Sequence, residues 1–447
     1  MMVRSIILAA GRGTRMRSQL PKALHMLAGK PLVQYSIDTV KAIKLEQPIL
    51  VVGYQADMIR KVIGNQVDYV HQDQQLGTAH AVGCAESILK DKVDLILVLS
   101  ADMPFLSMDT LLNLIGLQTK NSGPVTFATT IDANSRGFGR ILRDKNGDIE
   151  AIVEEAQASP EQLAIPEINV GVYCIKTDWL WQALKRINKS PKGEYYLTDI
   201  IGLARKEGYK TPSILITDST EAMGINTRVH LAEAEAILRQ RINQQWMLNG
   251  VTIPDPNTTY IGAEVHLEPD TIILPNTHLI GKTIIGGGSV VGPNTVITDS
   301  DIGANCTVIA SFLEKAVLEE GVAMGPYCHL RTGAHLGKGV HMGNFGEVKK
   351  SYLGPGTKMG HFSYIGDAQI GKDVNISAGV ITCNFDGQNK NDTHIGDDAF
   401  IGSDTMLVAP VKIGDRAHTG AGAVVTKDVP DDTLVVGVPA HELRKLK

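Results

Sequence analysis

Apolar and polar positions follow two different rhythms along the chain, and the change between them falls near residue 228. Before it, short β-rich apolar runs at residues 3–9, 49–53 and 95–99 are bounded by turn residues, while residues 32–44 and 79–89 carry apolar positions at helical spacing. Strand and helix in alternation predict a mostly parallel, Rossmann-like α/β domain over residues 1–227, with helices on both faces of its sheet. From Arg228 to Leu248 there is neither Gly nor Pro, and Leu231, Ala234, Leu238, Ile242 and Trp246 recur at helical spacing. Gly250 supplies a stop, so residues 228–250 read as a helical linker.

Beyond the linker the period is six. Ile261, Leu267, Ile273, Leu279, Ile285, Val291 and Ile297 recur every six residues, and four residues after the first six of them stand Val265, Thr271, Thr277, Thr283, Ser289 and Thr295. An aliphatic residue followed by a small one is the hexapeptide pattern of a parallel β-helix, in which three hexads close one triangular coil. Aliphatic side chains point inward and Gly or Asn serves the corners. The frame slips and resumes at residues 318–347, 353–365, 370–382 and 395–425, so the β-helix is expected to fill residues 251–447. Each slip predicts a loop that leaves the prism, and the longest is 383–394.

Composition follows the same division. Of 45 glycines, 17 fall in residues 1–249 and 28 in residues 250–447, and aromatic residues make up only 5% of the chain, as a narrow prism filled with stacked aliphatics would need. Lys+Arg 43 against Asp+Glu 48 gives a net charge of −5 with no basic block. Nucleic acid as a partner is thereby excluded, because it requires clustered cations to displace counterions from phosphates. The N-terminal apolar run is too short for a signal peptide and no stretch approaches the ~20 apolar residues of a membrane span, which predicts a cytoplasmic protein. Five cysteines, odd in number and without CxxC spacing, suggest neither a disulfide framework nor a zinc site.

Candidate chemistry begins directly after the first strand, at Leu8-Ala9-Ala10-Gly11-Arg12-Gly13-Thr14-Arg15-Met16 and Leu20-Pro21-Lys22. Two glycines let backbone N–H groups approach an anion, a following helix start adds positive potential, and Arg15 and Lys22 add full charges. This is a phosphate cradle, without the Gly-Lys-Ser/Thr of a Walker loop or the GxGxxG spacing of a dinucleotide fold. The motif resembles the signature of the sugar-nucleotide pyrophosphorylases, a nucleotidyltransferase family. That resemblance implies UTP binding by Leu8, Ala9, Ala10, Gly11, Lys22, Gln72, Gly77 and Thr78, with Arg15 and Lys22 stabilising charge on the phosphates. Gly77 and Thr78 have an alternative reading, as the cap of the helix that follows. Asp102, at the end of an apolar strand, is by resemblance a Mg²⁺ ligand, with a helix-capping Asp as the alternative. Asn226, in Gly224-Ile225-Asn226-Thr227, is implied as the second ligand, and Gly139, Glu154 and Asn169 as the holders of an acetamido sugar. The segment 193–200 also matches.

In the repeat region Gly343-Asn344-Phe345-Gly346-Glu347-Val348-Lys349-Lys350, Gly360-His361-Phe362-Ser363-Tyr364-Ile365-Gly366-Asp367 and Asn375-Ile376-Ser377-Ala378-Gly379 carry polar residues the repeat does not require. A His on a coil is ordinarily a solvated face residue. These motifs, behind a pyrophosphorylase half, resemble the family of bifunctional N-acetylglucosamine-1-phosphate uridylyltransferases/glucosamine-1-phosphate acetyltransferases, whose β-helices wind left-handed against the usual crossover rule. The resemblance implies acetylation of glucosamine 1-phosphate by acetyl-CoA with His361 as general base, followed by transfer of UMP from UTP to GlcNAc 1-phosphate. It further implies Arg331, Lys349, Tyr364 and Asn375 at the sugar phosphate site, Ala378, Asn384, Phe385, Ser403 and Ala421 at the acetyl-CoA site, and a homotrimer with that site between subunits. Four positions depart from the family pattern. Ser100-Ala101-Asp102 stands for Tyr-Gly-Asp, Phe385 for a Tyr, and Gly437 for an Arg that contacts CoA, a role left open for Arg444. The competing reading is a single-activity pyrophosphorylase whose β-helix only oligomerises.

Overall fold

A computed structural model describes residues 1–132 and 137–445. Backbone contacts divide the chain into two compact units, Met1–Glu235 and Ala236–Lys447, with the division inside the helix Arg228–Leu248.

In the first unit the main sheet runs in the order Ser213–Ile216, Val125–Ile131, Glu167–Lys176, Leu95–Ser100, Val3–Leu8, Ile49–Val52, Asp68–His71. All neighbours on this path pair in parallel except Glu167–Lys176, which runs antiparallel to both its partners. Strands buried on both faces are mostly apolar, and the pleat sends alternate residues to opposite cores. Ile7, Leu50 and Leu97 pack with Val33 and Ile37 of the helix Leu32–Ala42 and with Leu111 and Leu114 of Met108–Lys120. Ile6, Ile49 and Val98 face Val82 of Thr78–Gly83, Trp181 of Thr177–Leu184 and Ile200 of Asp199–Lys206.

Two expected elements change. The helix expected over 32–44 stops at Ala42, because Lys44 adopts a left-handed conformation. The helix expected over 79–89 is two, Thr78–Gly83 and Glu86–Leu89, parted where Ala85 N bonds back to Val82 O at 3.0 Å in a tightened turn. Among the described residues no helix is long and apolar enough to cross a membrane. All five thiols are free, and burial pushes that of Cys174 up to about 12.

The second unit is a left-handed parallel β-helix whose short strands stack into three sheets. Along one sheet Ile261, Leu279, Ile297, Leu313, Leu330, Val348 and Ile365 lie one above another, all buried. The small residues of the hexad are inward too: Thr271, Thr277, Thr283, Ser289 and Thr295 are wholly buried. Most of their hydroxyls donate to carbonyls at the corners, as Thr283 Oγ1 does to Ile280 O at 2.7 Å and Ser289 Oγ to Gly303 O at 2.9 Å. The buried core of this unit holds no aromatic side chain, which explains their scarcity. Ile242 and Trp246 of the helix cover it at one end.

The frame slips have another cause than loops. Ile297 pairs with Leu313, sixteen residues on, and Leu313 with Leu330, seventeen on, so a slip is a coil shortened at one or two corners while the ladder keeps register. Among the described residues a long loop leaves the prism only at 383–394, since Thr382 pairs with Leu407 across it. Asp serves left-handed corners beside Asn, as at Asp270, Asp299 and Asp373, which an expectation of Gly or Asn left out.

Leu336 is fully buried in the prism. Truncation by Leu336→Ala leaves a cavity between stacked coils and is expected to cost about 2–5 kcal/mol, read as a lowered urea midpoint for loss of the β-helix.

Candidate active sites

Ligand sites in such sheets collect at the carboxyl ends of strands, and here the ends of Val3–Leu8 and Leu95–Ser100 border a cleft of about 420 Å³. Its walls include Leu8, Ala9, Ala10, Gly11, Arg15, Lys22, Gln72, Gly77, Thr78 and Asp102, which the sequence singled out, with Gln75, Ser100, Ala101, Glu194 and Tyr196. Gly11 has open space where a side chain would stand, so an anion meets bare backbone there. Gly13 has φ +61°, and a Cβ on it would fall 2.8 Å from Lys22 Cβ, so the loop closes over Lys22 only because this residue is glycine.

The opposite wall is held by a segment distant in sequence. Tyr195 N donates to Leu76 O at 2.7 Å and Ala79 N to Tyr195 O at 3.0 Å, with Gly77 between them at φ +100°. A Cβ on Gly77 would come within 2.5 Å of Tyr195 O. Thr78 does not cap its helix; its hydroxyl accepts from Leu197 N at 2.9 Å. Gln72 Nε2 donates to Gly77 O at 3.2 Å and lies 2.9 Å from His80 Nδ1, so this amide shapes the loop as well as lining the cleft.

Asp102 and Asn226 come together behind the glycine loop. Ile225 N donates to Asp102 O at 2.9 Å, tying the two segments side by side. Lys22 Nζ donates to Asp102 Oδ2 and, at 3.1 Å, to Asn226 Oδ1, which also accepts from Arg15 Nη2 at 2.9 Å. Burial disfavours the Asp102 carboxylate, but the Lys22 ammonium beside it, with bonds from Lys22 and Ser100, holds the carboxyl below the usual range. One carboxylate and one amide oxygen converging where a cation already sits is a donor set that fits Mg²⁺, which takes one or two protein oxygens and completes its shell with phosphate and water. No cluster of three or more His, Cys, Asp or Glu able to hold a metal occurs among the described residues.

Gly139, Glu154 and Asn169 form a group beside the cleft rather than in its wall. Asn169 N donates to Gly139 O at 2.9 Å, and a Cβ on Gly139 would meet Ile152 Cγ2 at 2.8 Å. Glu154 Oε1 accepts from Thr198 Oγ1 at 2.8 Å, and Asn169 Nδ2 donates to the Tyr173 hydroxyl at 2.7 Å. Burial, with smaller contributions from Asp199 and Glu194, raises the Glu154 carboxyl above its ordinary range despite the Thr198 bond. Thr198 and Tyr173 were not among the expected site residues. The 193–200 motif signalled the first, and nothing in the spacing signalled the second.

In the β-helix one corner forms a file. His361, exposed between Lys358–Met359 and Ser363–Gly366, stands at its foot. Above it Gly379 N donates to Phe362 O at 2.7 Å, Asp404 N to Ala378 O at 2.7 Å and Gly422 N to Ser403 O at 2.8 Å. Ala378, Ser403 and Ala421 thus occupy successive coils directly above His361. Arg331, Lys349 and Tyr364 lie on the sheet that follows this corner: Arg331 N bonds Val348 O at 2.9 Å, and Glu347 pairs with Tyr364. Arg331 also pairs with Glu347 at 3.0 Å. Asn384, buried at the start of the long loop, donates through Nδ2 to Asp367 Oδ2 at 2.5 Å and reaches the Tyr364 hydroxyl at 3.5 Å. Phe385 is exposed under the Lys390 ammonium, 4.6 Å from its ring centre. Asn375 is not brought to this face. It pairs with Lys358 and Phe400 in the preceding sheet, its amide 3.2 Å from Ser377 Oγ. Arg444 pairs with Leu434 in an exposed antiparallel edge strand, whereas a Cβ on Gly437 would meet His441 Cε1 at 3.5 Å.

Comparison with known proteins accounts for both halves. Residues 4–247 match the nucleotidyl transferase family, and residues 392–427 match the bacterial transferase hexapeptide repeat. A crystal structure of UDP-glucose pyrophosphorylase complexed with UDP-glucose aligns with a TM-score of 0.45 and 19% identity, over 54% of this chain and 100% of its own. The bifunctional protein GlmU of Streptococcus pyogenes serotype M3 is 45% identical over 97% of this chain and 94% of its own. That of Shouchella clausii is 42% identical over 97% of this chain and 95% of its own. With such identity sustained through both the nucleotidyl transferase half and the repeat half, the chain belongs to the bifunctional GlmU family.

Proposed function

We propose that the chain makes UDP-GlcNAc in two steps, N-acetylation of glucosamine 1-phosphate by acetyl-CoA in the β-helix and uridylyl transfer from UTP to GlcNAc 1-phosphate in the first unit. The observation that carries the reading is that each half has a polar site its own fold does not need. One is the cleft with Arg15, Lys22, Asp102 and Asn226; the other is the file above His361. A β-helix serving only to oligomerise has no use for the second.

In the acetyl step His361 takes a proton from the sugar ammonium, and the freed amine attacks the thioester carbonyl. The C–S bond breaks, the nitrogen gives up its second proton to the leaving sulfur, and coenzyme A departs as its thiol. Arg331 and Lys349 grip the sugar phosphate, and Tyr364 and Asn375 orient the sugar. The file of Ala378, Ser403 and Ala421 offers a small-residue wall along which the pantetheine arm lies, with Asn384 and Phe385 near the acetyl end. Because Asn375 and Tyr364 stand on different faces, the reading includes a homotrimer in which adjacent prisms complete each site.

In the uridylyl step a sugar phosphate oxygen attacks the α-phosphorus of UTP in line, and pyrophosphate leaves with the electrons of the α–β bridging bond. No side-chain nucleophile is required. The Gly11–Gly13 amides, Arg15 and Lys22 hold the triphosphate and stabilise its charge, so positioning and electrostatics carry the rate. Mg²⁺, held by Asp102 and Asn226, would supply further neutralisation of phosphate charge. Gln72, Gly77 and Thr78 shape the pocket for the base and ribose, and Gly139, Glu154 and Asn169 hold the acetamido sugar.

The two activities are separable by mutation. On one preparation, His361→Ala is expected to lower acetyl transfer, read as thiol release from acetyl-CoA, by about 10²–10⁴-fold while pyrophosphate release from UTP is unchanged. Equal loss of both would overturn the base assignment. Asp102→Ala should abolish pyrophosphate release and spare thiol release. Removal of divalent cations with EDTA should reproduce the effect of Asp102→Ala on the wild type, and uridylyl transfer persisting in EDTA would rule out the metal role.

A further inference from the structure

The two oxygens assigned to the divalent cation have a protein cation between them. Lys22 Nζ bonds Asp102 Oδ2 and Asn226 Oδ1, and Arg15 reaches the same Asn226 oxygen. Lys22 is anchored at its root, because its backbone lies in the short helix Lys22–Leu24 and its Cβ packs under Gly13. Only the outer part of the side chain is left to swing. Asp102 is buried, and a buried carboxylate is tolerated only when paired; in the nucleotide-free protein Lys22 is that pair. An ammonium and a divalent cation cannot both occupy these two oxygens, since like charges at such range in a half-buried site repel far beyond thermal energy. Both Lys22 and Arg15 also line the cleft, where phosphate oxygens offer them other partners.

We propose that Lys22 is the resident counter-ion of the metal site, and that a nucleoside triphosphate opens the site by drawing the Lys22 ammonium and the Arg15 guanidinium onto its phosphates. The inference rests on the reading of Asp102 and Asn226 as metal ligands. Its consequence is positive coupling. Without nucleotide the site takes a divalent ion weakly, and each ligand raises the other's affinity by the same factor. Binding order then follows from charge, with the polyanion admitting the cation.

The test is Mn²⁺ binding to the nucleotide-free full-length chain, followed by electron paramagnetic resonance of the free ion. Lys22→Met, which keeps the packed stem and removes the charge, is expected to bind Mn²⁺ at least about tenfold more tightly than wild type, and Asp102→Asn in that background should erase the gain. Lys22→Arg, which retains a cation, should stay at the wild-type affinity; a gain matching that of Lys22→Met would assign the effect to packing and overturn the proposal. Equal affinity of wild type and Lys22→Met, lost in both on Asp102→Asn, would leave the ligand assignment standing and overturn the counter-ion role. Binding indifferent to Asp102→Asn, or absent from every form, would overturn the ligand assignment and the proposal together.

Discussion

Parallel strand pairing is the constraint from which both halves follow. A parallel ladder must have at least one face of its sheet covered, which takes the side chains of that face out of water. In the first unit helices cover both faces of the sheet, and in the second the three sheets enclose their own interior. Neither arrangement leaves room for charge within a strand's inward face. Several of the candidate polar groups therefore stand where the ladder ends or turns: Asp102 just past Ser100, the glycine loop just past Leu8, and His361 at a corner between two strands.

How much of this was legible in the sequence depends on the range of the interaction involved. The six-residue period is burial written directly into the chain, and the inward residues from Ile261 to Ile297 all lie where the period puts them. The corner file is not read from the period: the family resemblance names His361, Ala378, Ser403 and Ala421, and only the pairing of the coils shows that they stand at equivalent places. The glycine loop is local and was readable as a phosphate cradle.

Contacts between distant segments were not readable. Tyr195 closing over Gly77 and Thr198 on Glu154 depend on how a loop and a strand meet, and Tyr173 reaches Asn169, four residues away in one strand, across an irregularity in that strand's pairing. Lys22 meets Asp102 and Asn226 across 80 and 204 positions of chain. No spacing rule predicts that an ammonium fills the point where a metal ion is expected. The placement of Asn375 on another sheet from Tyr364 was hidden for a different reason. Deciding which face a residue occupies requires knowing the length of every coil before it, and shortened coils spoil that count.

Those shortened coils have a wider meaning. Pairing persists whether the next coil begins sixteen, seventeen or eighteen residues on, and across 383–394 it persists over twenty-five. The entropy of a longer connection grows only slowly with its length, so a corner tolerates insertion and deletion that a strand does not. Each corner is a position at which natural variation can lengthen, trim or recharge a segment without redesigning the scaffold. The prism behaves as a rigid rack with interchangeable edges, able to acquire new chemistry at its rim while its interior stays the same.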